Sequence, residues 1–190
     1  RVHGNDWKKL PDYNYETDTY MLDGILLKFK EKSGDWVKYE PLKESSFQRI
    51  RRNIQENFWE VTDKSGIVRT YGKTEESVVG SGDKIFTWNI TKTEDLHKNA
   101  VIYEYEKNNG YVYPSSINYS NYSVKFSYDE ISRKDVRIDA RSKELVECKW
   151  RLSDITTYYN KTTELRNYHF SYEEGLASES MLSSLQVSNS

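Results

Sequence analysis

The 190-residue sequence is poor in cysteine, proline and long apolar runs, and each scarcity limits what the protein can be. Cys148 is the single cysteine, so no disulfide can form within the chain, and an oxidising compartment is neither required nor excluded. No apolar run approaches the ~18 residues that a membrane-spanning helix needs. The first ten residues lack the apolar core of a signal peptide, so any export signal would lie outside this sequence.

An excess of charge of one sign is also missing. Lysine and arginine total 28, aspartate and glutamate total 30, and the formal net charge is -2. A protein that holds a phosphate backbone usually concentrates positive charge on one surface. The balanced charge therefore argues against a nucleic-acid partner.

Aromatic residues are abundant instead. The chain contains 16 Tyr, 5 Trp and 6 Phe but only 3 Pro, and such residues suit a pleated, half-buried surface. With a hydrophobic fraction of 36% and a mean hydropathy of -0.90, aromatic side chains must supply much of the buried area. This composition predicts an all-β protein, and short strands at roughly ten-residue spacing are typical of antiparallel hairpins in a curved or layered sheet, such as a sandwich or a barrel. We expect an irregular lead-in over residues 1–18 and a single all-β domain over residues 19–190, as a fragment of a larger protein.

The clearest local signal is a hairpin over residues 58–72. Asp63 and Gly66 occupy the first and fourth positions of a type I turn, which suits a three-residue loop with Gly66 in the left-handed conformation. This register pairs Trp59 with Tyr71. The residues that then share the inward face are Trp59, Val61, Ile67 and Tyr71.

Other segments repeat the two-residue period of strands. Asp23-Gly24 between two apolar runs is a strong hairpin signal, and Ser120-Asn121 separates two further strands. Alternation predicts five more strands, with these apolar members: Phe86, Trp88 and Ile90; Val101, Tyr103 and Tyr105; Tyr122, Val124, Phe126 and Tyr128; Val146, Cys148, Trp150 and Leu152; Tyr168, Phe170 and Tyr172. Residues 129–144 form either a long loop or a short helix, and residues 175–190 form either a last strand or a fraying tail.

No residue pattern indicates a catalytic site. Glu104 and Glu106 have the Glu-x-Glu form of ADP-ribosyltransferases, but no Ser-Thr-Ser strand precedes them and alternation places both on a solvated strand face. Cys148 lies on the apolar side of its predicted strand, which predicts a buried, inert thiol. A covalent mechanism would need Cys148, a carboxylate and either His97 or His169 to converge in one pocket. We therefore expect no enzyme activity.

Metal-binding patterns are incomplete. Five residues near the start are spaced somewhat like an EF-hand loop: Asp12, Asn14, Glu16, Asp18 and Asp23. Thr17 stands where that loop requires glycine, and the flanking segments are not helical. His3, His97 and His169 are isolated and lack His-x-x-x-His or Cys-x-x-Cys spacing. We expect neither a metal nor a cofactor.

Two surface patterns bear on binding. A local basic patch comprises Arg49, Arg51 and Arg52, but the nearby Glu40, Glu44 and Glu56 favour a solvated or salt-bridged strand. A set of tyrosines could stack on sugar rings or on a partner protein if exposed together. These are Tyr13, Tyr15, Tyr111, Tyr113, Tyr158 and Tyr159. The alternative is that they cover a second face of the sheet.

Several segments occur in an order that resembles a known family. They are DTYMLDG (18–24), FQRI (47–50), FWEV (58–61), YGKT (71–74), KIFTW (84–88) and NAVIYEY (99–105), followed by WRLSDI (150–155) and LRNYHFSY (165–172). This order resembles the SpvB-type domain of Tc-toxin B components and of related proteins with RHS/YD repeats. One departure is Lys98, which replaces the glycine that the family often has between Asp95 and Asn99. The glycine-rich segment that commonly precedes the domain is also missing.

The resemblance implies a non-catalytic structural module of a secreted or cell-surface bacterial protein. Its strands would help to build a β-shell around a toxic cargo, and the ADP-ribosyltransferase of the namesake protein is a separate domain that nothing in this chain matches. The implied partners are neighbouring β-domains or repeats of the same full-length protein, and another protein subunit or a glycan, without membrane insertion by this segment. The alternative function is a carbohydrate- or protein-binding surface module.

Overall fold

A computed structural model describes residues 1–2, 10–43, 47–130 and 133–189. His3 and Glu44 lie outside the described residues. The chain divides into two compact units, Arg1–Ala100 with Ala140–Glu144 and Val101–Asp139 with Leu145–Ser190. In both units the strands pair antiparallel, which confirms the predicted all-β class built from hairpins.

The described residues of the first unit form nine strands. They are β1 (Tyr20–Leu22), β2 (Ile25–Ser33), β3 (Trp36–Pro41), β4 (Arg49–Asn53), β5 (Phe58–Thr62), β6 (Val68–Tyr71), β7 (Val78–Val79), β8 (Thr87–Trp88) and β9 (Ile90–Glu94). Strands β1 to β6 and then β9 form a ladder in chain order, while β7 and β8 pair separately. A 3-10 turn, Glu75–Ser77, precedes β7, and residues 10–18 contain turns without a strand.

The turns of this unit follow from a few residues. Asp23 and Gly24 have φ of 48° and 81° and join β1 to β2 as a two-residue loop, as predicted. Between β5 and β6, the Gly66 N–H donates to Asp63 O at 3.0 Å, and Gly66 has φ of 85°. Asp63 Oδ1 also accepts the N–H groups of Ser65 and Ile67. The predicted hairpin and its pairing of Trp59 with Tyr71 are therefore confirmed.

The core of the first unit is built around aromatic rings. Its buried members are Tyr20, Leu27, Val37, Tyr39, Ile50, Trp59 and Val61. The Tyr20 and Trp59 rings meet edge to face at 4.9 Å between centroids. Burying one such side chain stabilises the fold by about 1.5–3 kcal/mol. Aromatic rings therefore carry much of this core, as the composition predicts.

One predicted strand of this unit is wrong. The strand expected to carry Phe86, Trp88 and Ile90 breaks at Asn89, between β8 and β9. The Asn89 N–H donates to Ser77 O at 2.9 Å, whereas the Asn89 carbonyl accepts the Gly72 N–H at 2.8 Å. The chain changes neighbour at Asn89, from β7 to β6, although the apolar alternation continues through the break.

The second unit contains the remaining strands. They are β10 (Ala100–Asn108), β11 (Tyr111–Tyr119), β12 (Tyr122–Asp129), β13 (Arg137–Asp139), β14 (Val146–Cys148), β15 (Arg151–Tyr159), β16 (Thr163–Glu174) and β17 (Ser180–Asn189). The ladder runs β10, β11, β12, β15, β16, β17, while β13 and β14 pair separately. Residues 175–190 therefore contribute a strand, and the described part of 129–144 contains β13 and turns but no helix.

The predicted strand through Val146 and Leu152 is also wrong, because it ends at Cys148 and resumes at Arg151. The Tyr113 hydroxyl accepts hydrogen bonds from the backbone N–H groups of Lys149 at 2.8 Å and Trp150 at 3.1 Å. These two N–H groups therefore bond to a side chain and not to a neighbouring strand. Cys148 is half-buried, whereas the sequence predicts a buried thiol.

Across the described ranges, no helix is long and apolar enough to cross a membrane.

Candidate binding surfaces

The sheet of the second unit has one apolar and one polar side. Cross-strand partners in an antiparallel ladder share a side, and residues two apart on a strand do too. We call one side the apolar face; its apolar members are Ile117, Tyr119, Tyr122, Val124, Phe126, Ile155, Tyr159, Tyr168, Phe170, Leu185 and Val187. Thr157, Arg166 and Asn189 lie on the same side. The other side carries Ser116, Asn118, Ser123, Lys125, Thr156, Asn167, His169 and Gln186.

The apolar face is accessible to solvent. Each of its residues is half-buried or exposed, and Val187 is 54% exposed. On the polar side, by contrast, Ser123 and Thr156 are only 2% and 7% exposed. An exposed contiguous apolar surface commonly marks a contact with another protein or a ligand. The face is therefore a candidate interaction surface.

Strand β17 adds an open edge to this face. It pairs with β16 on one side, and within the described residues no strand pairs with its other side. Its sequence, SMLSSLQVSN, contains no charged residue and no proline, and Leu182 and Leu185 are 55% and 51% exposed. Proteins usually protect such edges with charges, proline or bulges, because a free edge invites pairing with another strand. The β16–β17 ladder has a register shift between Ser171 and Tyr172, but β17 has neither a charge nor a proline.

Only part of the tyrosine set predicted from the sequence is exposed. Tyr111 and Tyr159 are exposed, but Tyr113 is 3% exposed and belongs to the interior. Tyr119 and Tyr122, which sequence reasoning did not single out as ligands, are exposed and stack with 5.7 Å between ring centroids. Their position on either side of the Ser120-Asn121 turn is the signal that could have found them.

Two cavities among the described residues of the first unit share part of their lining. The outer cavity has a volume of about 560 Å³, and its lining includes Gln48, Arg69 and Asn89. The inner cavity has a volume of about 100 Å³ and is lined mainly by core residues. The side chains that bound both are Leu22, Val61, Tyr71 and Trp88. No sequence motif indicates this site.

The predicted basic patch on β4 separates into different environments. Arg51 forms a salt bridge, as expected, but its partner is Glu60 and not one of the glutamates named from the sequence. Its guanidinium lies 4.1 Å from the centre of the Trp36 ring. Arg52 is only 4% exposed, so the solvated interpretation is wrong for this residue. Its guanidinium donates to the Tyr20 hydroxyl at 2.5 Å and to Asn57.

Tyr20, the acceptor of one of these hydrogen bonds, is itself buried, and this burial raises the pKa of its phenol.

Glu104 and Glu106 differ in their surroundings. Glu104 is exposed, as expected, and its carboxylate accepts hydrogen bonds from Ser116 and Asn118. Glu106 is half-buried, and burial together with the nearby Glu130 carboxylate raises the pKa of Glu106. A register shift in the β10–β11 pairing lies directly after Glu104. This arrangement does not place the two carboxylates in a common hydrogen-bond network.

The residues considered for nucleophilic catalysis have separate neighbours. Cys148 lies beside Tyr111, Tyr113 and Arg133. His169 Nδ1 lies 2.9 Å from Asp154 Oδ1 on the polar side of the sheet. The backbone N–H of His97 donates to Asp95 in a turn of the first unit.

The residues with partial EF-hand spacing contact the protein itself. The Asp18 carboxylate pairs with Arg1 and accepts the Asp12 N–H at 2.8 Å. Asn14 Oδ1 accepts the Glu16 N–H at 2.9 Å, and Asp23 belongs to the β1–β2 turn. In the part of the chain that the structure describes, no three His, Cys, Asp or Glu side chains group as a metal site.

Comparison with known proteins identifies the class of this fold. The family model for SpvB, described as Salmonella virulence plasmid 65kDa B protein, matches residues 7–171. The chain belongs to the SpvB family, as the order of its segments predicts.

Solved structures share the fold at low sequence identity. The N-terminal domain of effector protein SpvB from Salmonella typhimurium strain LT2 is 15% identical with a TM-score of 0.84, over 95% of this chain and 83% of that one. A structure of TcdB2-TccC3 is 14% identical with a TM-score of 0.80, over 94% of this chain. One of TcdB2-TccC3-Cdc42 is 12% identical with a TM-score of 0.75, over 91%. The chain spans 13% of the length of each of these last two. No curated protein matches the chain.

Proposed function

We propose that this chain is a non-catalytic structural module of a longer, toxin-related bacterial protein. In this proposal a neighbouring β-domain or repeat of the same protein covers the apolar face and adds a strand to β17. The protein would be secreted or displayed on the cell surface, with RHS/YD-type repeats beside this module forming a β-shell.

The open apolar face of the second unit carries the proposal. A sheet side that is mostly apolar, as this one is apart from Thr157, Arg166 and Asn189, is normally buried. Leu182, Leu185 and Val187 are each about half exposed, so covering them would contribute roughly 1 kcal/mol per side chain. Pairing along β17 would add main-chain hydrogen bonds, as in other cases of strand addition.

The structural relatives support the same interpretation. TcdB2-TccC3 contains this fold in a chain of which the present sequence spans 13%. A module that is one part of a long chain has neighbours on which an apolar face can pack. By this proposal, contacts with another protein subunit are secondary to those within the chain.

The proposal is tested with lysine substitutions on β17 in two proteins, the 190-residue chain and the natural protein with all of its flanking sequence. The test variant is Leu185→Lys with Val187→Lys on the apolar face, and the control is Ser184→Lys with Gln186→Lys on the polar side of the same strand. We expect the test variant to accelerate proteolysis near β17 in the natural protein and to leave the 190-residue chain nearly unchanged. Equal rates of proteolysis near β17 for the test and control variants of the natural protein would overturn the proposal.

A further inference from the structure

The outer cavity of the first unit has a rigid aromatic wall. The Trp88 indole Nε1–H donates to Asn57 O at 2.7 Å, which fixes the edge of the ring. Gly72, at φ of 73°, lies so close to the indole that a Cβ at this position would clash with it. The Arg1 and Arg52 guanidinium groups lie 5.6 and 5.1 Å from the ring centre, so Trp88 offers a fixed apolar surface only where it lines the cavity.

The polar groups of the cavity are held in place as well. Asn89 Nδ2 donates to Ser77 O at 3.0 Å, so the amide plane is set, while Asn89 Oδ1 accepts no hydrogen bond within the described residues. Arg69 uses one N–H to hold Asp63 Oδ2 at 3.1 Å. The Gln48 amide makes no hydrogen bond in the described part of the chain, and it is half-buried. The cavity therefore presents both donors and acceptors.

The charge and size of the cavity limit the class of ligand. Arg69 is already neutralised by Asp63, and the remaining charged group is the Asp23 carboxylate, which disfavours an anion. A volume of about 560 Å³ lies within the range of small-molecule sites, roughly 300–1,000 Å³. A neutral, hydroxyl-rich ring matches the mixed donors and acceptors and the flat indole.

We propose that this cavity binds a pyranose sugar, which packs against Trp88 and hydrogen-bonds to Gln48, Asn89 and Arg69. The inner cavity of about 100 Å³, which adjoins it at Leu22, Val61 and Tyr71, takes a small apolar substituent such as the methyl group of an acetamido sugar. Binding here is a further activity that does not depend on the structural role of the second unit.

The test is a titration of the 190-residue chain with glucose, galactose and N-acetylglucosamine, followed by ¹H–¹⁵N NMR. We expect saturable shifts of the Trp88 indole N–H and of the Gln48 and Asn89 side-chain amides, with a millimolar dissociation constant that is lowest for N-acetylglucosamine. Absence of localised shifts with all three sugars up to about 50 mM would overturn the proposal. Equal affinity for glucose and N-acetylglucosamine would overturn the role of the inner cavity.

Matched variants test whether the sugar binds in this cavity or elsewhere on the protein. Gln48→Ala should weaken the tightest sugar about tenfold, whereas Gln55→Ala, the same change at an exposed turn residue outside the cavity, should leave affinity unchanged. Equal affinity of the Gln48 and Gln55 variants would place binding elsewhere and contradict the proposal.

Discussion

Leu96 packs against Gly66, where a Cβ would lie 2.6 Å from Leu96 Cδ2. The two residues belong to turns of the same pattern. In each turn an aspartate, Asp63 or Asp95, accepts the N–H groups two and four residues later and precedes a residue with positive φ. That residue is Gly66 in the first turn and Lys98 in the second, so the chain contains a favourable and a strained version of one turn.

Replacing Gly66 with valine should destabilise the protein by about 2 kcal/mol or more, because a β-branched residue is strained at positive φ and its Cβ meets Leu96. Denaturant unfolding of the purified chain measures the change. Gly34→Val is the control for backbone strain alone, since Gly34 has φ of 56° with open space around it. If Gly66→Val were as stable as the parent, the turn assignment would be wrong.

Replacing Lys98 with glycine should stabilise the protein by about 0.5–1 kcal/mol. Lys98 has φ of 67°, which glycine adopts without a steric penalty. The ion pair of Lys98 with Glu94 lies at the surface, with Lys98 80% exposed, so its loss should cost little. Lys98→Ala removes the same ion pair but keeps a Cβ, and it should not stabilise. A thermal melt that ranks alanine above glycine would contradict this explanation.

Replacing Tyr20 with phenylalanine should cost about 1–3 kcal/mol, because the buried Arg52 guanidinium would lose its hydroxyl acceptor. Tyr39→Phe is a matched control: Tyr39 is equally buried, and its hydroxyl makes no hydrogen bond within the described residues. The control should change the free energy of unfolding by no more than about 0.5 kcal/mol. Equal losses for both variants would show that the Tyr20 hydroxyl is not a specific partner of Arg52.

Acid should weaken the anchor at the start of β17. Two hydrogen bonds from Arg133 lower the pKa of Asp135, and the Ser180 N–H and hydroxyl bind the same carboxylate at 2.9 and 2.8 Å. Its stabilising contribution is present above about pH 4, the ordinary range of aspartate, and is lost as the pH falls towards the lowered value. The stability difference between the parent and Asp135→Asn should therefore shrink below pH 4, as measured by urea unfolding. A difference that grows on acidification would have the wrong sign.

The sequence predicts the parts of this fold that local chemistry determines. Asp63 and Gly66 define the β5–β6 turn within four residues, and Asp23-Gly24 defines the β1–β2 turn in the same way. Because the turn sets the register, the pairing of Trp59 with Tyr71 could be predicted as well.

Features that depend on distant residues could not be predicted. The strand break at Asn89 depends on Ser77 and Gly72, which are not visible in the uninterrupted alternation of side chains. The burial of Arg52 depends on Tyr20, 32 residues earlier. The cavity side chains likewise come from separate strands and turns, so no spacing in the sequence brings them together.

The central claim is that a neighbouring part of the natural protein adds a strand to β17, and hydrogen exchange of the β17 amides tests it most directly. In the 190-residue chain, the N–H groups that point away from β16 should exchange at nearly unprotected rates, because they have no strand partner in the described structure. In the natural protein with its flanking sequence, the same N–H groups should be protected. Equal exchange of these amides in the two proteins would contradict the account.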